Sequence, residues 1–115
     1  MKRQYTIEIM EFVGVYFPRL SRIKVEAANV EDAIYEALAD VGAGVSLEEL
    51  EDAKADMNED DYNLLFNPRS NDYIAIAYNY VLDQYHQSEY RLLRGYCGKR
   101  KCFDLVLKDE YSINK

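Results

Sequence analysis

The sequence predicts an α+β fold, an antiparallel sheet of about five strands with two helices packed on one face. Alternating apolar and polar residues open and close the chain, and two capped helical stripes lie between them. That order segregates helices to one side of a sheet. The 115 residues, 49% of them hydrophobic, suffice for one core and not two, so a single domain spans 1–115.

The first strand region runs from Tyr5 to Phe17. Tyr5, Ile7 and Ile9 fall on one side, Thr6, Glu8 and Met10 on the other, and Gly14 marks a bulge or bend. Pro18 and Arg19 turn the chain into a second run, where Ile23, Val25 and Ala27 oppose Arg22, Lys24 and Glu26, so the two strands form a hairpin.

Asn29 is an N-cap, with Glu31 and Asp32 in the first turn where the helix dipole favours negative charge. Val30, Ala33, Ile34, Ala37, Leu38 and Val41 make one apolar stripe, ended by Gly42. Ser46 and Glu49 have capping-box spacing, and Leu47, Leu50, Ala53 and Met57 give a second, narrower stripe that pairs with the first.

Asn58 to Asn71 is polar, contains Pro68 and carries one apolar cluster, Leu64 to Phe66, so it reads as a connector. Tyr73 to Leu82 satisfies two periods. Ile74, Ile76, Tyr78, Tyr80 and Leu82 alternate as in a strand, while Ile74, Ala77, Tyr78, Val81, Leu82 and Tyr85 make a helical stripe. The density of Tyr, Ile and Val, and the exposure a helix would impose on Ile76, select the strand. Glu89 to Cys97 and Cys102 to Lys108 then form a hairpin across Gly98 to Lys101.

The N-terminal residues lack the apolar centre of a secretory signal, and the longest apolar run, Phe12 to Phe17, is far short of the ~20 residues a bilayer requires. A cytoplasmic protein without a membrane partner is expected. Cys97 and Cys102 are then free thiols. With His86 they supply three soft donors where zinc needs four. Asp56, Asn58 and Asp60 begin like a calcium loop, but Asp61 replaces the required Gly and Asn67 the closing Glu. No phosphate-cradling glycine loop or nucleophile elbow is present, so no cofactor, metal or catalytic residue is assigned.

Charge is the informative feature. The net charge is −7, yet from Val25 to Phe66 thirteen acidic residues face one basic residue, Lys54, while the remainder of the chain is net positive by five. Such segregation costs folding energy that solubility alone does not demand. A helix over Ser46 to Met57 is ~18 Å long and carries one net charge per ~4.5 Å; adding the acids of the first helix gives one per ~2.2 Å, near the ~1.7 Å of duplex DNA. In size, acidity and aromatic content the chain resembles the small inhibitors that phages and mobile elements direct against restriction or CRISPR nucleases, some of which mimic DNA. The resemblance is one of composition.

The leading expectation is therefore a non-enzymatic interaction protein whose Glu31, Asp32, Glu36, Glu48, Glu49, Asp52, Asp56, Glu59, Asp60 and Asp61 meet a basic, nucleic-acid-handling partner. Tyr90, Arg91, Arg94, Tyr96, Lys99, Arg100 and Lys101 form a secondary basic and aromatic patch. It could grip phosphates, or pair with the acidic helices of a second copy in a homodimer, although the overall acidity disfavours direct nucleic-acid binding by the whole protein. The other reading is a small-ligand or catalytic domain with a tyrosine-lined pocket around His86 and Arg91.

Overall fold

The computed structural model describes residues 1–12, 17–57 and 71–106. Its sheet has the order β2-β1-β3-β4, every neighbour antiparallel: β1 (Arg3–Glu11), β2 (Arg19–Ala27), β3 (Tyr90–Cys97) and β4 (Arg100–Asp104). The opening hairpin has the expected faces. Tyr5, Ile7 and Ile9 are buried, opposite Val25, Ile23 and Ser21, while Thr6, Glu8 and Met10 look out from the other side. Gly14 and residues 58–70 of the expected connector lie outside the described residues.

The helices are α1 (Val30–Asp40), α2 (Leu47–Asp56) and α3 (Asn71–Tyr85). Asn29 caps α1, its side chain accepting from the Asp32 amide at 2.9 Å, and Gly42 follows the helix at φ +86°, where a side chain would be strained. At α2 both halves of the capping box form: the Ser46 hydroxyl accepts from the Glu49 amide at 3.0 Å, and the Glu49 carboxylate from the Ser46 amide at 2.9 Å. Helix α1 packs on β1 and β2, α3 on β3 and β4, and α2 on α3 rather than on α1 as expected, because α3 supplies the apolar face between them, all on the Tyr5–Ile7–Ile9 side.

The class is thus α+β with an antiparallel sheet, but the described residues hold four strands and three helices rather than five and two. One segment accounts for the change. Tyr73 to Leu82 is not a strand; it lies within the fifteen residues of α3. The exposure that weighed against a helix does not arise, because Ile76 is half-buried against the core, and Tyr73, Ala77, Tyr78, Val81 and Leu82 fill the inward face. Asn79 fastens the helix to the sheet, donating to the Leu92 carbonyl at 3.1 Å and accepting from the Leu92 amide at 2.8 Å.

The last hairpin is tighter than expected. It turns over Gly98 (φ +62°) and Lys99, so Arg100 and Lys101 already belong to β4. Residues 107 and 108 of the expected strand fall outside the described residues. The β1 register slips between Glu8 and Ile9, leaving Leu93 as an extra residue on β3, and Cys102 is the extra residue on β4. No helix among the described residues is long and apolar enough to cross a membrane.

Candidate interaction surfaces

The acids of α1 and α2 are exposed because the apolar stripes occupy the opposite sides. Val30, Ala33, Ile34, Ala37 and Leu38 turn α1 inward, which leaves Asp32, Glu36 and Asp40 on the solvent side at i, i+4 and i+8. Leu50 and Ala53 do the same for α2 and leave Glu48, Asp52 and Asp56 at the same spacing. No Lys or Arg among the described residues pairs with any of these six. Like charges four residues apart cost a helix roughly 0.2–0.5 kcal/mol per pair, so both stripes oppose folding.

Glu31 behaves differently from the rest of the expected set. Lys54 Nζ lies 3.0 Å from its Oε1 and 3.6 Å from Glu51 Oε1, so the lone cation of the acidic segment is already engaged. Burial works against the Lys54 charge, but its hydrogen bond to Glu31 and the charges of Glu31 and Glu51 outweigh it and hold the ammonium above the usual lysine range.

Glu49, Asp52 and Asp56 are brought together with residues the sequence did not assign to them. They and Ala53 form one wall of a cleft of about 60 Å³, and Tyr80, Val81, Gln84 and Tyr85 of α3 form the other. Carboxylates facing two phenol rings suit a guanidinium or ammonium head, which gains both ion pairing and ring attraction there. Reading α3 as a strand hid this wall; the helical stripe through Tyr78, Val81 and Tyr85 was the signal that placed it. Glu59, Asp60 and Asp61 lie outside the described residues.

The tyrosines disperse. Tyr73 and Tyr78 are buried, the first donating to the Lys54 carbonyl and the second to the Glu31 carbonyl, each at 3.4 Å. His86 meets Tyr90 edge to face with ring centres 6.0 Å apart, and Arg91 sits on the far side of the sheet opposite Met10. Neither His86 nor Arg91 lines the cleft that holds Tyr80 and Tyr85.

The basic and aromatic patch splits between faces. Tyr90 packs against the core, whereas Arg91, Arg94, Tyr96 and Lys101 share the outer face, and Lys99 and Arg100 are exposed at the turn. Glu8, which sequence reasoning left as an ordinary outward residue, is only 5% exposed and stands between two arginines. Its Oε2 accepts from Arg22 Nε at 3.0 Å. Arg94 Nε lies 3.1 Å from Oε1 without hydrogen-bond alignment, so that contact is Coulombic. Lys101 Nζ contacts Asp104 at 2.9 Å.

Comparison with known proteins finds no matching family model, no matching curated protein and no matching solved structure.

Proposed function

We propose that this chain is a non-enzymatic interaction protein that presents the carboxylates of α1 and α2 to a basic, nucleic-acid-binding surface of a partner protein. The observation that carries the reading is the uncompensated pair of stripes, Asp32, Glu36, Asp40 and Glu48, Asp52, Asp56, exposed on two helices linked by the Lys54 to Glu31 ion pair, with none of the six in an ion pair among the described residues. Their mutual repulsion costs stability, and a cationic groove that binds them recovers it. The cleft between α2 and α3 supplies an anchor, taking one arginine or lysine of the partner between Asp52, Asp56 and the rings of Tyr80 and Tyr85.

The composition shared with inhibitors of restriction and CRISPR nucleases makes such enzymes the first partners to try. The experiment is a competition: the full chain is titrated into a nuclease bound to labelled duplex, at low and high salt. Displacement of the duplex at low salt, weakened as salt rises, is the expected result. A triple reversal, Glu36→Lys, Asp52→Lys and Asp56→Lys, keeps the circular dichroism of the wild type and loses the displacement. Displacement by the reversed protein at wild-type strength rejects the proposal.

A further inference from the structure

We infer that the outer face of the sheet binds single-stranded nucleic acid, with Tyr96 as the surface on which a base stacks and Lys24, Lys99 and Arg100 as phosphate contacts. This does not rest on the reading of the acidic helices, which occupy the opposite side of the sheet.

The strand register sets residues of all four strands in one row across the outer face: Lys24 on β2, Thr6 on β1, Tyr96 on β3 and Lys101 on β4. With strands ~4.8 Å apart the row is ~14 Å wide, with a half-exposed aromatic ring near its centre and a cation at each edge. The next row is Arg22, Glu8, Arg94 and Asp104. Buried beneath the two guanidiniums, the Glu8 carboxylate holds both in place, and Asp104 contacts Lys101, so the two rows together set four cations, Lys24, Lys101, Arg22 and Arg94, against these two carboxylates. At the end of the sheet beside Tyr96, the Gly98 amide donates to the Gln4 carbonyl at 3.1 Å. That contact ties the turn carrying the exposed Lys99 and Arg100 to the start of β1.

The net charge of −7 does not forbid this. The exposed carboxylates of α1 and α2 lie beyond a helical layer ~10 Å thick, while charges in salt of physiological strength are screened over about 8 Å. A polyanion approaching the sheet therefore meets the side chains of that face, where Arg22, Lys24, Arg91, Arg94 and Lys101 outnumber Glu8, Glu26 and Asp104, and little of the acid behind it. A single strand fits better than a duplex, because an open ring engages a base only where bases are unstacked, and a flat four-stranded face cannot enter a groove that admits a helix or a two-stranded ribbon. The acidic helices of a second copy would satisfy the cations but leave Tyr96 unused. Joining two unlike faces would also propagate into a filament unless a ring closed.

The test is the fluorescence anisotropy of labelled oligothymidylate and oligouridylate, each about 12 nucleotides long, within the ~4–16 nucleotide sites of single-strand binders. Each is titrated with the full-length chain at about 50 and 200 mM salt. Binding is expected at the lower salt. Tyr96→Leu should weaken it about tenfold, the loss of one stacked base. Lys24→Ala with Lys99→Ala, two residues in no ion pair among the described residues, should weaken it and lower the salt slope by roughly 0.7 per cation removed. Melting temperatures matching the wild type show that both variants are folded, and Glu36→Lys with Asp52→Lys should bind at least as tightly as the wild type. Absence of binding at the lower salt overturns the inference, as does wild-type affinity in either variant. Sedimentation revealing self-association that Lys24→Ala and Lys99→Ala abolish, without oligonucleotide binding, assigns the face to a second copy instead.

Discussion

Lys54, in the last turn of α2, places its Nζ 3.0 Å from the Oε1 of Glu31 in the first turn of α1, joining the end of one acidic helix to the start of another. Both side chains are partly exposed, at 24% and 34%, so the pair contributes modestly to stability, about 0.5–1 kcal/mol. Lys54→Met should lower the melting temperature by about 2–5 °C, and because Glu31 and Glu51 lose their counter-charge the loss should shrink in high salt. An equal loss at all ionic strengths would show that the charge pairing with Glu31 and Glu51 does not carry the effect.

Alkaline pH should destabilise the fold. Burial, with Cys97 nearby, pushes the Cys102 thiol from 9.0 up to about 11. Burial also raises the Tyr78 phenol, assisted by the charges of Glu31 and Asp32. Each group favours its protonated form when folded, so the unfolded chain releases the proton first and stability falls as pH rises between the two values. The Lys54 shift has the same sign. Urea titrations should hold steady to pH 9 and decline toward pH 11 by up to about 1.4 kcal/mol per unit for each group. Cys102→Ala should remove the earliest part of the decline, and an unchanged profile in that variant would contradict the assignment.

Gly95 has no room for a side chain. A Cβ there would run into the ring of Phe103, its partner across β3 and β4, and that ring is held in the core. Gly95→Ala should cost about 1–3 kcal/mol in urea unfolding, as overpacked sites do. In a Phe103→Leu background the same change should cost measurably less, because the obstructing atoms are gone.

Charge and capping can be separated at Glu49, whose carboxylate both lines the cleft and accepts from the Ser46 amide. Glu49→Gln keeps an acceptor oxygen and should leave the melting temperature nearly unchanged while weakening capture of a basic partner. Ser46→Ala should do the reverse, costing about 1 kcal/mol of stability with partner affinity retained. Equal thermal losses in the two variants would undo the distinction.

The parts of the fold legible in the sequence are those fixed by local chemistry. Asn29, Gly42 and the Ser46 to Glu49 spacing marked helix ends through contacts spanning three or four residues, and the alternation of Tyr5, Ile7 and Ile9 named the buried face of β1. Tyr73 to Leu82 misled because its apolar residues obey both periods. Ala75, Ala77 and Asn79, poor strand formers of which two are excellent in helices, were the better guide. The Glu8 cluster and the wall of Tyr80 and Tyr85 depend on strand register and helix docking, which no window of sequence contains. Likewise the acidic segment was visible as a stretch of chain, but its separation from the cations by a sheet exists only after folding.

Strand β1 lies inside the sheet, paired on one side with β2, its neighbour in the chain, and on the other with β3, which begins at Tyr90. During synthesis the hairpin and α1 can assemble while the second edge of β1 stays bare. At ~5–20 residues per second, the roughly 80 residues from the end of β1 to the start of β3 take about 4–16 s to appear. Over that interval a ribosome-bound chain displays an unpaired strand edge of the sort that templates aggregation. Its newly made acidic helices repel one another from chain to chain, which would keep neighbouring nascent copies on a polysome apart until β3 arrives.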